Sequence, residues 1–396
     1  MPDNCAPTFA DLAARLGFSC ADIGGVVDVR SPLEAENWTL PVLEILVTIG
    51  AVVTLAYAVR RLRQLGDPTT LVVWFGSLAY LFLIEPPLYF PAAFGLDGVV
   101  DTMFAHNLFT VEFLWGRLPL YIVAIYPMMA TTAFEIVRAL GVFRRRGPLI
   151  GAVCVGFVHH AFYEFFDHLG PQLRWWEWTL DHPVNQPFFA SVPIPSVVVF
   201  AALWPMSLAL CAQYLVGRPV ESGRTFTGAG LVLRIAAVGI AASIGTAVLP
   251  LPATLGGYLS GSTTVGGAVY VAELAVMSMV AVPVLMVEWS RLRRTHTSGR
   301  SVRSPLFAYA ALYLTVMTVL WVSALPAALG ATDGVSAAGD PVGNLPYAAG
   351  CLLIAALVLA AAVSIAAPRV PIGAGQDSAT PSSPSDRQPS VEGRRL

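Results

Sequence analysis

The apolar positions of this chain fall into nine long runs, covering 40–59, 70–92, 118–139, 149–168, 195–216, 231–249, 266–288, 306–327 and 347–367. Each is close to the roughly 20 residues that an α-helix needs to cross a bilayer. The pattern predicts an all-α fold, a polytopic transmembrane bundle of about nine spans. Four regions follow. Residues 1–37 form an N-terminal tail outside the membrane, and 38–216 hold five spans, a polar cluster and a Trp-rich loop. Residues 217–367 hold four Ala/Val-rich spans that read as scaffold. The Ser- and Pro-rich stretch 368–396 cannot bury a core and reads as a disordered tail.

Arginine placement sets the expected orientation. Arg60, Arg61 and Arg63 follow the first span, and Arg144, Arg145 and Arg146 the third. Arg218 and Arg224 follow the fifth, Arg291, Arg293 and Arg294 the seventh, and Arg369 the ninth. By the positive-inside rule these ends are cytoplasmic, with the N-terminus outside and the C-terminus inside. Residues 1–36 lack the uninterrupted apolar core of a cleavable signal peptide.

Composition agrees with a membrane environment. Hydrophobic residues make up 56% of the chain and charged residues 12%, about half the charged fraction of a soluble domain. A net charge of −2 gives no footprint for nucleic acid. All 23 basic residues are arginine. Cys5 and Cys20 lie in the outside tail, where they either pair or stay free, since spacing does not decide. Cys154, Cys211 and Cys351 sit in spans and read as small buried hydrophobes.

Chemistry concentrates around span four. Five of the 6 histidines fall between His106 and His182. Ionisable groups inside a bilayer are expensive and face a bundle interior or a water-filled cavity. At 100° per residue, His160, Glu164 and Asp167 share one helical stripe, flanked by His168, while His159 sits away from it beside Tyr163. In the expected topology His160 is roughly 12 Å deep. Glu44, Glu85, His106, Glu112 and Glu273 are placed in or near the same outer half of the bilayer. Glu135 lies at the other end, spaced to pair with Arg138.

This set can act as a general acid and base or bind a divalent metal. Glu164 or Asp167 would be the acid. His160 would be the base, or a metal ligand beside Glu164, His168 and Glu85. The blander alternative is a satisfied hydrogen-bond network that fixes packing. Glu85 precedes Pro86 and Pro87, which remove backbone donors and leave carbonyls near Phe82 and Leu83 without their usual partners. The loop from Leu169 to Ser196 carries Trp175, Trp176 and Trp178. It reads as an interfacial anchor, or as a lid for an apolar substrate contacted by Glu85, these tryptophans and Trp204.

The succession of Glu164, the aromatic loop, Val192-Pro193 and Trp204 is similar to bacterial polytopic membrane proteins. It also distantly resembles the membrane-bound carotenoid hydratase family. His159-His160 and Asp167-His168 are not part of that family's pattern. The resemblance implies a multi-pass protein of a bacterial cytoplasmic membrane in which acidic groups act on an isoprenoid. No Walker loop, dinucleotide fingerprint, CxxC pair or HExxH motif is present. The histidines are too few for a di-iron desaturase. The functional expectation is a membrane-embedded enzyme acting on a lipid or isoprenoid. A proton- or cation-coupled transporter and a structural or assembly protein are the alternatives.

Overall fold

The computed structural model describes residues 5–96, 98, 100–182, 185, 187–295 and 304–366, so the expected tail over 368–396 lies outside them. The described chain is mostly helical. In order come α1 (Pro7–Leu16), α2 (Thr39–Leu65), α3 (Thr69–Tyr89), α4 (Leu120–Ala139), α5 (Val142–Asp167) and α6 (Trp204–Ala212). Then follow α7 (Arg218–Glu221), α8 (Gly228–Val248), α9 (Leu251–Ser260), α10 (Thr263–Thr295), α11 (Pro305–Leu329) and α12 (Leu345–Ala366). Among the described residues, 9 helical stretches are long and apolar enough to cross a membrane, in agreement with the nine runs of the sequence. That is the character of a membrane protein. The fifth stretch, Ser196–Glu221, joins a π-helical segment (Ser196–Leu203), α6, a second π segment (Gln213–Gly217) and α7.

Local sequence explains where these helices stop and start. Gly66 (φ 66°) ends α2 in the left-handed region, which glycine enters without steric cost. Asp67 then accepts the Thr69 N–H at 3.0 Å and starts α3. Within α5 the chain breaks at Gly147 (φ 83°) and resumes at Pro148, so the membrane-length part is the stretch after the break.

Burial separates core from periphery. In α4 and α5, 83% and 78% of the apolar window is buried, against 22% for the α8–α9 stretch and 17% for α10. Helix α5 is the central beam and touches α4, α6, α10 and α12. Helix α8 packs across α3 and α6, and α11 packs against α2. The four later spans therefore wrap the first five. Apolar side chains such as Leu233 and Met279 are left on the outer surface of α8 and α10.

One end of the bundle is covered by loops containing short antiparallel strands, which the all-α expectation omits. They are β1 (Val27–Val29), β2 (Phe104–His106), β3 (Val111–Phe113), β4 (Leu118–Pro119), β5 (Trp176–Trp178), β6 (Pro187–Phe189) and β7 (Val192–Pro193). They pair as β1-β3-β4, β2-β5 and β6-β7. Strands of two or three residues carry too little alternation to be read from sequence. The N-terminal segment also folds. Phe9, Leu12, Leu16 and Phe18 form a small separate core against Ala105 of β2, and Cys5 is bonded to Cys20. Register then places His106 opposite Trp176 and Phe104 opposite Trp178, forming a two-stranded roof above α5. Gly170 allows this approach, since a Cβ there would lie 2.0 Å from the Trp176 ring.

Candidate functional site

Helix α5 carries two polar rows that face different neighbours. His159, Tyr163 and Asp167 line a cavity bounded by α3, α4 and the π segment. His160 and His168 instead meet the start of α12, with Glu164 beside them. The expected stripe of His160, Glu164 and Asp167 therefore spans two neighbouring rows. Those three do lie within about 60° on a helical projection, but side chains pack along inclined i±4 rows. Asp167 joins the row of Tyr163 and His159, and Glu164 joins that of His160 and His168.

The cavity has a volume of about 290 Å³, room for several water molecules or a short apolar chain. Ile84, Glu85 and Leu88 of α3 form one wall, and Tyr121, Ile125 and Tyr126 of α4 another. Val199 and Phe200 of the π segment and Trp204 of α6 close a third side. Phe104, His106, Trp176 and Trp178 form the roof.

Its polar groups are few and held in place. Tyr126 donates its hydroxyl to Glu85 Oε1, and Ser196 donates to Asp167 Oδ2 at 2.8 Å. Asp167 Oδ1 is buried without a side-chain or backbone donor, and Glu85 has the Tyr89 hydroxyl within reach as well. His159 Nδ1 lies 2.7 Å from the Ala201 carbonyl oxygen. A carbonyl can only accept, so Nδ1 carries a proton and Nε2 is the ring nitrogen left for the cavity. Both Ser196 and Ala201 belong to the π segment, a form of helix often found at functional sites. In the roof, His106 bridges the hydroxyls of Tyr121 (2.8 Å) and Tyr89 (3.3 Å). Burial pushes the His106 imidazole down to about 3, so it is neutral at physiological pH. Trp204 stacks on Tyr80 (4.9 Å between centroids) and meets the His159 ring edge-on at 5.2 Å.

The other row is a packing junction. His160 Nε2 is 2.6 Å from the Tyr347 hydroxyl, and the Asn344 N–H donates to His168 Nδ1 at 3.1 Å. His168 Nε2 stands 3.3 Å from Glu164 Oε2 but outside hydrogen-bonding geometry, and neither Glu164 oxygen has a donor. Gly343 lets the loop before α12 close onto this row, since a Cβ there would lie 2.3 Å from the His168 carbonyl oxygen. Among the described residues, no group of three or more His, Cys, Asp or Glu side chains is arranged to hold a metal ion. The expected set of His160, Glu164 and His168 is thus not brought together as ligands. His160 Nε2 is directed at Tyr347 and His168 Nδ1 at Asn344, and Glu85 lies on the cavity side.

The remaining candidates scatter. Trp175 is fully buried and donates to Thr39 Oγ1 at 2.8 Å, so it supports the roof without lining the cavity. Glu44 accepts the backbone N–H groups of Thr110 (3.0 Å) and Val111 (3.1 Å), which pins the β3 loop to α2. Glu273 is half-buried on peripheral α10. Tyr121, Tyr126, Tyr163, Ser196 and the Ala201 carbonyl are functional candidates absent from the sequence-based set. Tyr163 could have been found by its spacing of four from His159 and Asp167.

Glu112 accepts the Phe109 N–H at 2.9 Å and lies 3.6 Å from Arg30. Burial raises its carboxyl to about 7 despite that hydrogen bond and the arginine. The folded state therefore binds a proton more tightly than the unfolded chain does. The resulting stabilisation is complete below the unfolded value of about 4.3 and is lost as pH rises through 7. Thermal unfolding between pH 5 and pH 8 should show the loop-covered end weakening as pH rises. Glu112→Gln should flatten that dependence, and an unchanged profile in the variant would refute the assignment.

No family model, curated protein or solved structure matches the chain.

Proposed function

We propose that the protein is an enzyme embedded in a cell membrane, whose cavity takes an apolar molecule of the lipid or isoprenoid class and moves a proton on it. The observation that carries this reading is the convergence of Glu85, His159 and Asp167 on one cavity whose other walls are aromatic and aliphatic. Apolar pockets with a few oriented polar groups are the usual form of small-molecule sites. Asp167, placed by Ser196, and Glu85, placed by Tyr126, are the proton donors. His159 Nε2 is the acceptor.

Orientation belongs to the same proposal. The arginines that end α2, α4 and α10 mark the cytoplasmic side, so the cavity opens toward the outer leaflet of a bacterial plasma membrane. A proton- or cation-coupled transporter would need a polar route through the bundle. What favours the enzyme reading is that the polar groups at the arginine-rich end are tied into ion-pair clusters, one of them around Glu288, which pairs with Arg145 and Arg146. In another, Arg138 bridges Glu135 and Asp67, and Arg61 also holds Asp67.

The test is direct. Protein extracted in mild detergent should carry an apolar molecule, detectable by native mass spectrometry after ejection from the micelle. Ile125→Trp, which fills the cavity, should lose it without lowering membrane abundance. Equal occupancy in the filled variant would refute the cavity as the binding site.

A further inference from the structure

We infer that the cavity is selective for positive charge on an apolar body, either a stable ammonium amphiphile or a substrate whose reacting carbon becomes cationic. The inference rests on the cavity being a binding site and names the chemistry of its occupant. Four observations lead to it. Two carboxyl groups, Glu85 and Asp167, line the cavity, and the side chains that bond to them are hydroxyls, Tyr126 and Tyr89 at Glu85 and Ser196 at Asp167. No arginine is among the lining residues, and the chain contains no lysine, so the protein supplies neither carboxyl with such a counter-charge there. The roof imidazole, His106, is held neutral by burial. The remaining walls are rich in aromatic rings, with Trp176, Trp178, Trp204, Tyr126 and Tyr163 all lining the cavity.

A buried carboxylate costs free energy unless a positive partner or hydrogen-bond donors accompany it. Once either acid has given up its proton, only hydroxyl donors accompany the carboxylate, and a positive charge on the occupant is the partner that stabilises it. Aromatic faces attract cations through the ring quadrupole, and the attraction strengthens when water is excluded. An anionic headgroup would meet two carboxyl groups, with His159 the one basic group among the lining residues not held neutral in the roof. A neutral tail would fill the space but offer nothing to the charge that develops on these groups. The arrangement therefore favours a cation over either.

Three probes sized to the cavity separate these cases: octyltrimethylammonium, octanol and octanoate. Each is titrated against the full chain in maltoside micelles at pH 7, followed by tryptophan fluorescence and compared as mole fraction in the micelle. The ammonium probe is expected to bind at least about tenfold more tightly than octanol, and octanoate more weakly than both. Asp167→Asn and Glu85→Gln should each reduce the preference for the ammonium probe and leave octanol binding unchanged. If octanol binds as tightly as the ammonium probe, and both are displaced by Ile125→Trp, the cavity stands and the charge preference is wrong. If octanoate binds best, the inference fails outright. If none of the three binds, the inference and the proposed function fail together. Should the ammonium preference hold, native mass spectrometry of the co-purified molecule separates the two sources. A permanently charged amphiphile marks a bound ligand, and a neutral alkene marks a substrate that becomes cationic only during reaction.

Discussion

Asp167→Asn is expected to lower activity by about 10²–10⁴-fold, the range that positioned acid–base groups contribute, whereas Glu164→Gln is expected to preserve it. The two acids are three residues apart on α5 and equally buried. Asp167 is on the cavity wall with Oδ2 bonded to Ser196, while Glu164 sits in the row that packs against α12. Asparagine keeps the shape of Asp167 and can still accept from Ser196 through its amide oxygen, so folding should survive. What is lost is the ionisable oxygen. Glutamine at 164 removes a carboxyl group without hydrogen-bond donors and should leave stability unchanged or raised. Complementation of a deletion phenotype, read beside membrane abundance, checks both variants. If both support full function at normal abundance, the acid–base reading of the cavity fails and packing accounts for the polar rows. If Glu164→Gln is the inactive one, the two rows have been assigned the wrong way round.

That contrast also shows where sequence reasoning reaches its limit. The nine spans were legible because a bilayer-length apolar run has few alternative explanations. The pairing of Glu135 with Arg138 was legible because residues i and i+3 meet on a helix whatever surrounds them. Glu164 and Asp167 were different. Their phase on α5 is fixed by the chain, but which neighbour each meets depends on where α4, α12 and the π segment cross the helix. A 60° sector can straddle two neighbours, and here it does. The π segment itself was not legible, because Ser196-Val197-Val198-Val199-Phe200 reads as an ordinary apolar run. Its contribution, a hydroxyl for Asp167 and a carbonyl for His159, depends on backbone geometry. The Trp loop was readable as a lid, but not how it is held. Trp176 and Trp178 are typical interfacial residues by composition, and only pairing with β2 turns them over the cavity.

Arg138→Ala is expected to cost about 3–5 kcal/mol, the usual cost of removing one partner from a buried ion pair. Arg138 donates to Asp67 at 2.9 Å and to the Thr70 hydroxyl at 2.6 Å, and it pairs with Glu135. Glu135 is only 3% exposed and also receives hydrogen bonds from Thr70 (2.7 Å) and Tyr57 (3.2 Å). Through these contacts one guanidinium joins α4 to the loop between α2 and α3. Burial by itself would raise the Asp67 carboxyl, but Arg138, the Thr69 side chain and N–H, and Arg61 outweigh it and hold it at about 2. A depressed carboxyl contributes stability that is present above its unfolded value of about 3.9 and lost as pH falls toward 2. Removing Arg138 should therefore both lower the unfolding midpoint and shrink its fall below pH 4. The loss arises mainly from Glu135 left buried without its cation, so adding Glu135→Gln to Arg138→Ala should restore a large part of it. Equilibrium unfolding in mixed micelles measures both effects. A loss below about 1 kcal/mol, the value typical of an exposed pair, would show that water already reaches this network and that it does not seal the arginine-rich end. Failure of Glu135→Gln to restore stability would place the cost in the contacts to Asp67 and Thr70 instead.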